Sequence, residues 1–268
     1  MKLFFRQYGQ PQHPPIIILH GLFGISDNWV SHGKRLAEEG FYVIIPDLRN
    51  HGRSPHNKLM NYAAMTEDLH ELMEEIHIDR VSLLGHSMGG KIAMKFSLEN
   101  PEMVEKVVVV DISPRKYHPH KNHSKIIQAV KKVNLNHLFS RKAVEQKLSE
   151  MIPEHRIVLF IMKNLHRTKE GKFEWLFNIQ AIEEHFDALF ESIESPSQYH
   201  GPSLFIKGEK SDYILPDDRT IILQHFPHAT IKTIEGTSHW VQAEAPDKFF
   251  RIANEFLKTN PPKSTLRH

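Results

Sequence analysis

The sequence predicts an α/β fold, a mostly parallel sheet covered by helices on both faces. Three observations point there. Short, continuously apolar, β-branched runs occur at Ile16–Leu19, Phe41–Ile45, Val81–Leu84, Val107–Val110, Ser203–Ile206 and Thr230–Ile234, as expected of parallel strands buried on both faces. Helical patterns such as Asn61–Ile76 and Gly89–Glu99 lie between them, and that alternation is the mark of a doubly covered parallel sheet. The 268 residues, 40% apolar and 25% charged, suit one large core with room for a small inserted layer.

Taken in order, the opening residues Met1–Tyr8 are too short and too soon polar for a signal peptide and read as an edge strand. Ile16–Leu19 is bounded by Pro14, Pro15 and Gly21, and Phe41–Ile45 is closed by Pro46 and Asp47. The region from 115 to 199 breaks the alternation. It offers no convincing strand, only helical patterns at Ile126–Val133, Ala143–Met151, Ile157–Leu165 and Ile179–Phe190. About 85 residues is far more than one crossover needs. A helical insertion above the sheet is therefore expected at 115–199, with a core built from 1–114 and 200–268. The last helix is signalled by Pro246 near its first turn and by Phe249, Ile252, Ala253 and Phe256 at helical spacing. The tail from Asn260 is expected to fray.

Composition narrows the function. No run approaches the roughly 18 apolar residues of a membrane span. Net charge is only +2, with Lys and Arg scattered, so no nucleic-acid footprint stands out. The absence of Cys removes disulfides, thiolate metal sites and a Cys nucleophile, and fits a cytoplasmic protein. Twenty His is a high count. The densest group, His118, His120 and His123, reads as a polar loop, because no metal-ligand spacing accompanies it. No metal is expected.

The decisive segment runs from Val81 to Met94: a strand, then Gly85-His86-Ser87-Met88-Gly89, then a helix. Gly-x-Ser-x-Gly in that context is a nucleophile elbow. A sharp turn lifts the Ser87 hydroxyl out of the sheet, crowding positions 85 and 89 so that only very small side chains fit. The helix starting near Met88 aims its N-terminal amides and dipole at the same place. A serine hydroxyl needs a base. His239 lies just past the last predicted strand and before the last helix, where the chain order Ser…Asp…His places one. An oxyanion needs two amide donors. They are expected from Met88 and from Leu22, in the His20–Gly24 loop. Phe23 with Leu22 should wall an acyl pocket, and His86 and Trp240 flank the expected nucleophile and base as further substrate contacts. Either Asp111 or Asp212 could complete a triad, since both follow strand ends facing the His239 loop. Asp47–Ser54 sits at the same edge and reads as a tight, charge-paired turn.

These motifs, with Asp111-Ile-Ser-Pro114 and Gly236-Thr-Ser-His-Trp240, resemble the α/β-hydrolase superfamily over nearly the whole chain. Gly85–Lys91 together with Asp111–Pro114 resembles a subgroup of small bacterial and mitochondrial carboxylesterases that favour short acyl esters and sometimes thioesters. The resemblance implies an eight-stranded sheet, a helical cap after strand six, no cofactor, and the acid at Asp111 in preference to Asp212. It implies an ester as small-molecule substrate, with no nucleic-acid partner and no membrane insertion, in a monomer or homodimer. Thioester, carbon–carbon or lyase chemistry on the same groups and a non-catalytic receptor are the rival readings. Ser87 departs from relatives with an Asp nucleophile.

Overall fold

The structure, a computed structural model, describes residues 1–118 and 121–259. The tail from Asn260, expected to fray, and His120 of the histidine group lie outside the described residues. Seven strands form the main sheet: β1 (Phe5–Tyr8), β2 (Pro15–Leu19), β3 (Tyr42–Pro46), β4 (Val81–His86), β5 (Val104–Val110), β8 (Ser203–Gly208) and β9 (Ala229–Ile234), in the order β1-β3-β2-β4-β5-β8-β9. Only the edge strand β1 is antiparallel. The six apolar runs of the sequence fall in these strands, save that Phe41 precedes β3. Among the described residues the sheet has seven strands rather than eight, because a single strand, β1, precedes the parallel series. The insertion accordingly follows the fifth strand of the chain, not the sixth.

Helices cover both faces, as the buried-on-both-sides strands require. They are α1 (Val30–Glu38), α2 (Tyr62–Glu75), α3 (Met88–Glu99), α4 (Lys121–Lys132), α5 (Arg141–Ser149), α6 (His155–Met162), α7 (Ile179–Glu184), α8 (Asp218–His225), α9 (Val241–Glu244) and α10 (Pro246–Lys258). Alternate residues of each strand feed opposite cores. Ile17, Leu19, Leu83 and Val109 pack on the α2–α3 side, and Ile16, Ile18, Leu84 and Val108 on the side of Trp29, Phe249 and Leu257. No helix among the described residues is long and apolar enough to cross a membrane.

Four of the helices, α4 to α7, lie between β5 and β8. So does a short antiparallel hairpin, β6 (Leu165–Arg167) with β7 (Phe173–Trp175). The expectation of an insertion without strands is corrected here: three-residue strands are too short to give an alternation signal against neighbouring helices. The two ends of the segment are tied together, Ile193 N–H donating to Pro114 O at 2.7 Å and Tyr117 N–H to Phe190 O at 2.7 Å. Side contacts fasten it to the sheet edge. Asn164 Nδ2 donates to Phe23 O at 2.8 Å, and Tyr62 Oη donates to Leu189 O at 2.7 Å.

Candidate active site

Register assembles the site before any side chain is considered. Leu19 pairs with Gly85 across β2 and β4, and Gly85 with Val109 across β4 and β5. Two residues further along lie Gly21, Ser87 and Asp111, just past the carboxyl ends of the three neighbouring strands. Ligands bind at that carboxyl edge in open α/β sheets. Val110 pairs with Ile206, and Gly208 with Ile234, so the loop holding His239 leaves the strand beyond β8.

Ser87 sits between β4 and α3 with φ 53° and ψ −118°, a left-handed backbone that a non-glycine residue holds only where its surroundings enforce it. The enforcement is visible. Ser87 N–H donates to Val110 O at 3.0 Å, and Ser87 O accepts Lys91 N–H at 3.0 Å. A Cβ on Gly85 would collide with the carbonyl of Gly89, and one on Gly89 with the carbonyl of Leu19. The crowding expected at positions 85 and 89 is thus real, and it excludes even alanine there.

Asp111 is fully buried, also with positive φ, 52°. Its Oδ2 lies 2.8 Å from His239 Nδ1. Oδ1 accepts the Gly208 amide at 2.9 Å, and Oδ2 also accepts the Ser211 hydroxyl. Burial pushes the carboxyl up to about 6, opposed by those two bonds. The Tyr213 ring stacks on His239, centroids 3.8 Å apart and planes at 19°. Asp212 stands differently: it is exposed, and its carbonyl accepts Arg115 Nη2 at 3.0 Å. The sheet explains the contrast, because Asp111 projects from a strand end between two neighbours while Asp212 rides on a loop.

The His20–Gly24 loop is fixed by buried imidazoles. His20 Nε2 accepts Leu48 N–H at 3.0 Å, so Nδ1 donates to Gly21 O at 2.9 Å. His51 Nε2 accepts Phe23 N–H at 3.2 Å, so Nδ1 donates to Arg49 O at 2.9 Å. Burial lowers both rings, to about 4 and about 3, and keeps them neutral. Asp47–Ser54 is the tight turn expected: Asp47 accepts the amides of Ser26 and Arg53 at 2.6 and 2.8 Å, and Arg49 grips Asp68 at 2.5 and 2.8 Å. The amides of Phe23, Gly24 and Ser87 therefore have acceptors. Among the described residues those of Leu22 and Met88 have none, which is what a receptive anion site needs.

Two small cavities meet at Ser87. One, about 60 Å³, lies between Leu22, Phe23, Phe160, His239 and Trp240. The other, about 20 Å³, lies between Met88, Lys91, Tyr117, Leu189 and Phe190. Phe23, His86 and Trp240 all line the first. His86 has a further task, its Nε2–H donating to His239 O at 2.9 Å while burial lowers the ring to about 3. The insertion contributes His123, Ile126, Phe160, Leu189 and Phe190 to these walls. Phe173 and Phe177 instead are buried in the hydrophobic core that the insertion shares with the sheet.

Sequence reasoning missed Ser211, Tyr213 and Lys91. Ser211 adjoins Asp212, and the pairing of β5 with β8 brings the loop after Gly208 beside Asp111. Lys91 belongs to the elbow motif, yet nothing in the sequence announces a buried amine. Its Nζ donates to Arg115 O at 3.1 Å and to Glu191 O, and burial lowers it to about 7. Among the described residues no group of three or more His, Cys, Asp or Glu is placed to hold a metal ion.

Comparison with known proteins agrees with this fold. The α/β-hydrolase fold family model matches residues 14–246. The chain belongs to that family. The sn-1-specific diacylglycerol lipase ABHD11 of Danio rerio is 38% identical, over 93% of this chain and 80% of the relative. Esterase YbfF of Escherichia coli is 34% identical, over 96% and 99%. The solved structure of a marine microorganism esterase superposes with a TM-score of 0.92 at 41% identity, covering 95% of this chain and 99% of that one.

Proposed function

We propose that this chain is a serine carboxylesterase that hydrolyses short-acyl esters through an acyl-enzyme. The observation that carries the reading is the convergence of the strained Ser87 elbow with the His239–Asp111 pair, 2.8 Å apart, at one sheet edge. Ser87 Oγ attacks the acyl carbonyl while His239 Nε2 takes its proton. The negative oxygen rests on the amides of Met88 and Leu22. His239 then protonates the departing alcohol, and later draws a proton from the water that releases the acid. Asp111 holds the imidazole tautomer and stabilises its cationic form, Ser211 and the Gly208 amide keeping the carboxylate ionised. Relatives named esterase and lipase support an ester as substrate.

The segment 115–199 acts as a cap. Leu189 and Phe190 close the smaller cavity, and so little room beside Ser87 favours short acyl groups. A separate recess of about 370 Å³ shares Phe160 and Trp240 with the first cavity. The test is a matched panel: p-nitrophenyl esters of increasing acyl length, butyryl-CoA, and a diacylglycerol dispersion, alongside fluorophosphonate labelling followed by peptide mapping. Fast turnover of acetyl to hexanoyl esters with the label on Ser87 supports the proposal. Label on another residue, or turnover confined to the thioester, overturns it.

A further inference from the structure

Both residues that flank His239 are linked to one face of a single helix from the insertion, Trp240 directly and Ser238 through Glu244. Arg156 and Phe160 stand four apart on α6, hence on the same side. Arg156 Nη1 donates to Glu244 Oε1 at 2.6 Å. Glu244 lies on α9 of the core and accepts twice from Ser238, the backbone N–H and the hydroxyl each at 2.5 Å. On the other flank, the Arg156 guanidinium lies 5.1 Å from the centre of the Trp240 ring, and the Phe160 ring lies 5.8 Å from it. None of these groups is used by the hydrolytic steps. Together they join the insertion to Ser238 and Trp240, one on each side of the base.

We propose that Arg156 is a positioning residue. Acting through Glu244 and Trp240, it couples the seating of α6 to the placement of the His239 imidazole. This rests on His239 being the base. The Arg156 side chain is 60% exposed and that of Glu244 22%, and such a pair adds little stability by itself. Its value is geometric. Glu244 uses both carboxylate oxygens on Ser238, so displacing Glu244 shifts the backbone one residue before the base. A displacement of about 1 Å in a reacting group costs up to about 10²-fold in rate. The insertion is then more than a wall: a substrate that keeps α6 from docking also leaves the base misaligned, which gives the enzyme a check on leaving-group size.

The experiment uses the full chain carrying Arg156→Met, Arg156→Lys, Glu244→Gln or Glu244→Asp, and the Arg156→Met/Glu244→Gln double variant. kcat and KM for p-nitrophenyl butyrate are measured per active site, titrated with a fluorophosphonate. Arg156→Met and Glu244→Gln should each lower kcat by about ten-fold, with KM changed by less than about two-fold. The double variant should lose no more than the worse single one, because the two act through one contact. Arg156→Lys keeps the charge, guards against a misfolded variant, and should retain most of the rate; Glu244→Asp keeps the charge but withdraws the carboxylate by one methylene, and should lose rate as Glu244→Gln does. Wild-type kcat per site in both charge-removing variants, losses that multiply in the double variant, or an effect confined to KM would each overturn the proposal. Failure of the underlying reading looks different, as full hydrolysis by a Ser87→Ala protein.

Discussion

His239 Nδ1 lies 2.8 Å from Oδ2 of Asp111, a carboxylate with no exposure to solvent, and this pair sets what the two candidate acids should do when altered. Asp111→Asn should lower kcat by on the order of 10³- to 10⁴-fold, because an amide no longer enforces the tautomer in which Nε2 accepts the Ser87 proton. Asp212→Asn, at an exposed loop position, should change kcat by less than about three-fold. Steady-state kinetics at equal folded concentration decide between them. Collapse of the Asp212 variant with a healthy Asp111 variant would move the acid to the loop after β8.

The dependence on pH follows from the same pair. Free imidazole is the active base, and an ordinary His titrates near about 6.5. Burial raises Asp111 to about 6, so the two groups lose protons as one coupled system. Acylation should climb from about pH 6 to about pH 8 and then level. A stopped-flow profile flat over that range would argue against the assignment of His239.

Lys91 makes a prediction about stability. Its amine is lowered from 10.5 to about 7 by burial. Between those values the unfolded chain binds the extra proton, so this group's contribution improves as pH rises from 7 toward 10.5. Replacing it by Met removes that slope. The difference in Tm, wild type minus Lys91→Met, should therefore grow in favour of the wild type between pH 7 and pH 10. A difference that stays constant would mean the amine is not charged at a cost in the folded protein.

Chain-length selectivity should answer to Phe190. Its side chain belongs to the buried core and closes the smaller cavity beside Ser87. The wild type should lose rate beyond roughly six to eight acyl carbons. Phe190→Ala should move the optimum toward longer chains while slowing the acetyl ester. kcat/KM from acetate to laurate esters measures this. An unchanged optimum would place the acyl chain in the other cavity.

Much of this was legible before the structure because the signals are local. Ser87 is bracketed by an apolar strand and a glycine-tolerant turn, and Asp111 by four valines that can only be a buried strand. His239 required its place in the order of elements, not its own neighbourhood. What escaped was non-local or short. Ser211 finds Asp111 across 100 positions of sequence. The β6–β7 hairpin offers three residues a side, too few for a period. Lys91, Leu189 and Phe190 meet at a cavity only because the insertion returns on itself at Ile193 and Pro114.

The central claim is that Ser87 forms a covalent acyl intermediate. It is tested most directly by rapid quench of the wild type and Ser87→Ala with p-nitrophenyl butyrate, followed by intact-mass measurement. The account predicts a butyryl adduct on the wild type, none on the variant, and hydrolysis slower in the variant by about 10³-fold or more. Wild-type turnover by the Ser87→Ala protein, or a butyryl adduct on it, would contradict the account.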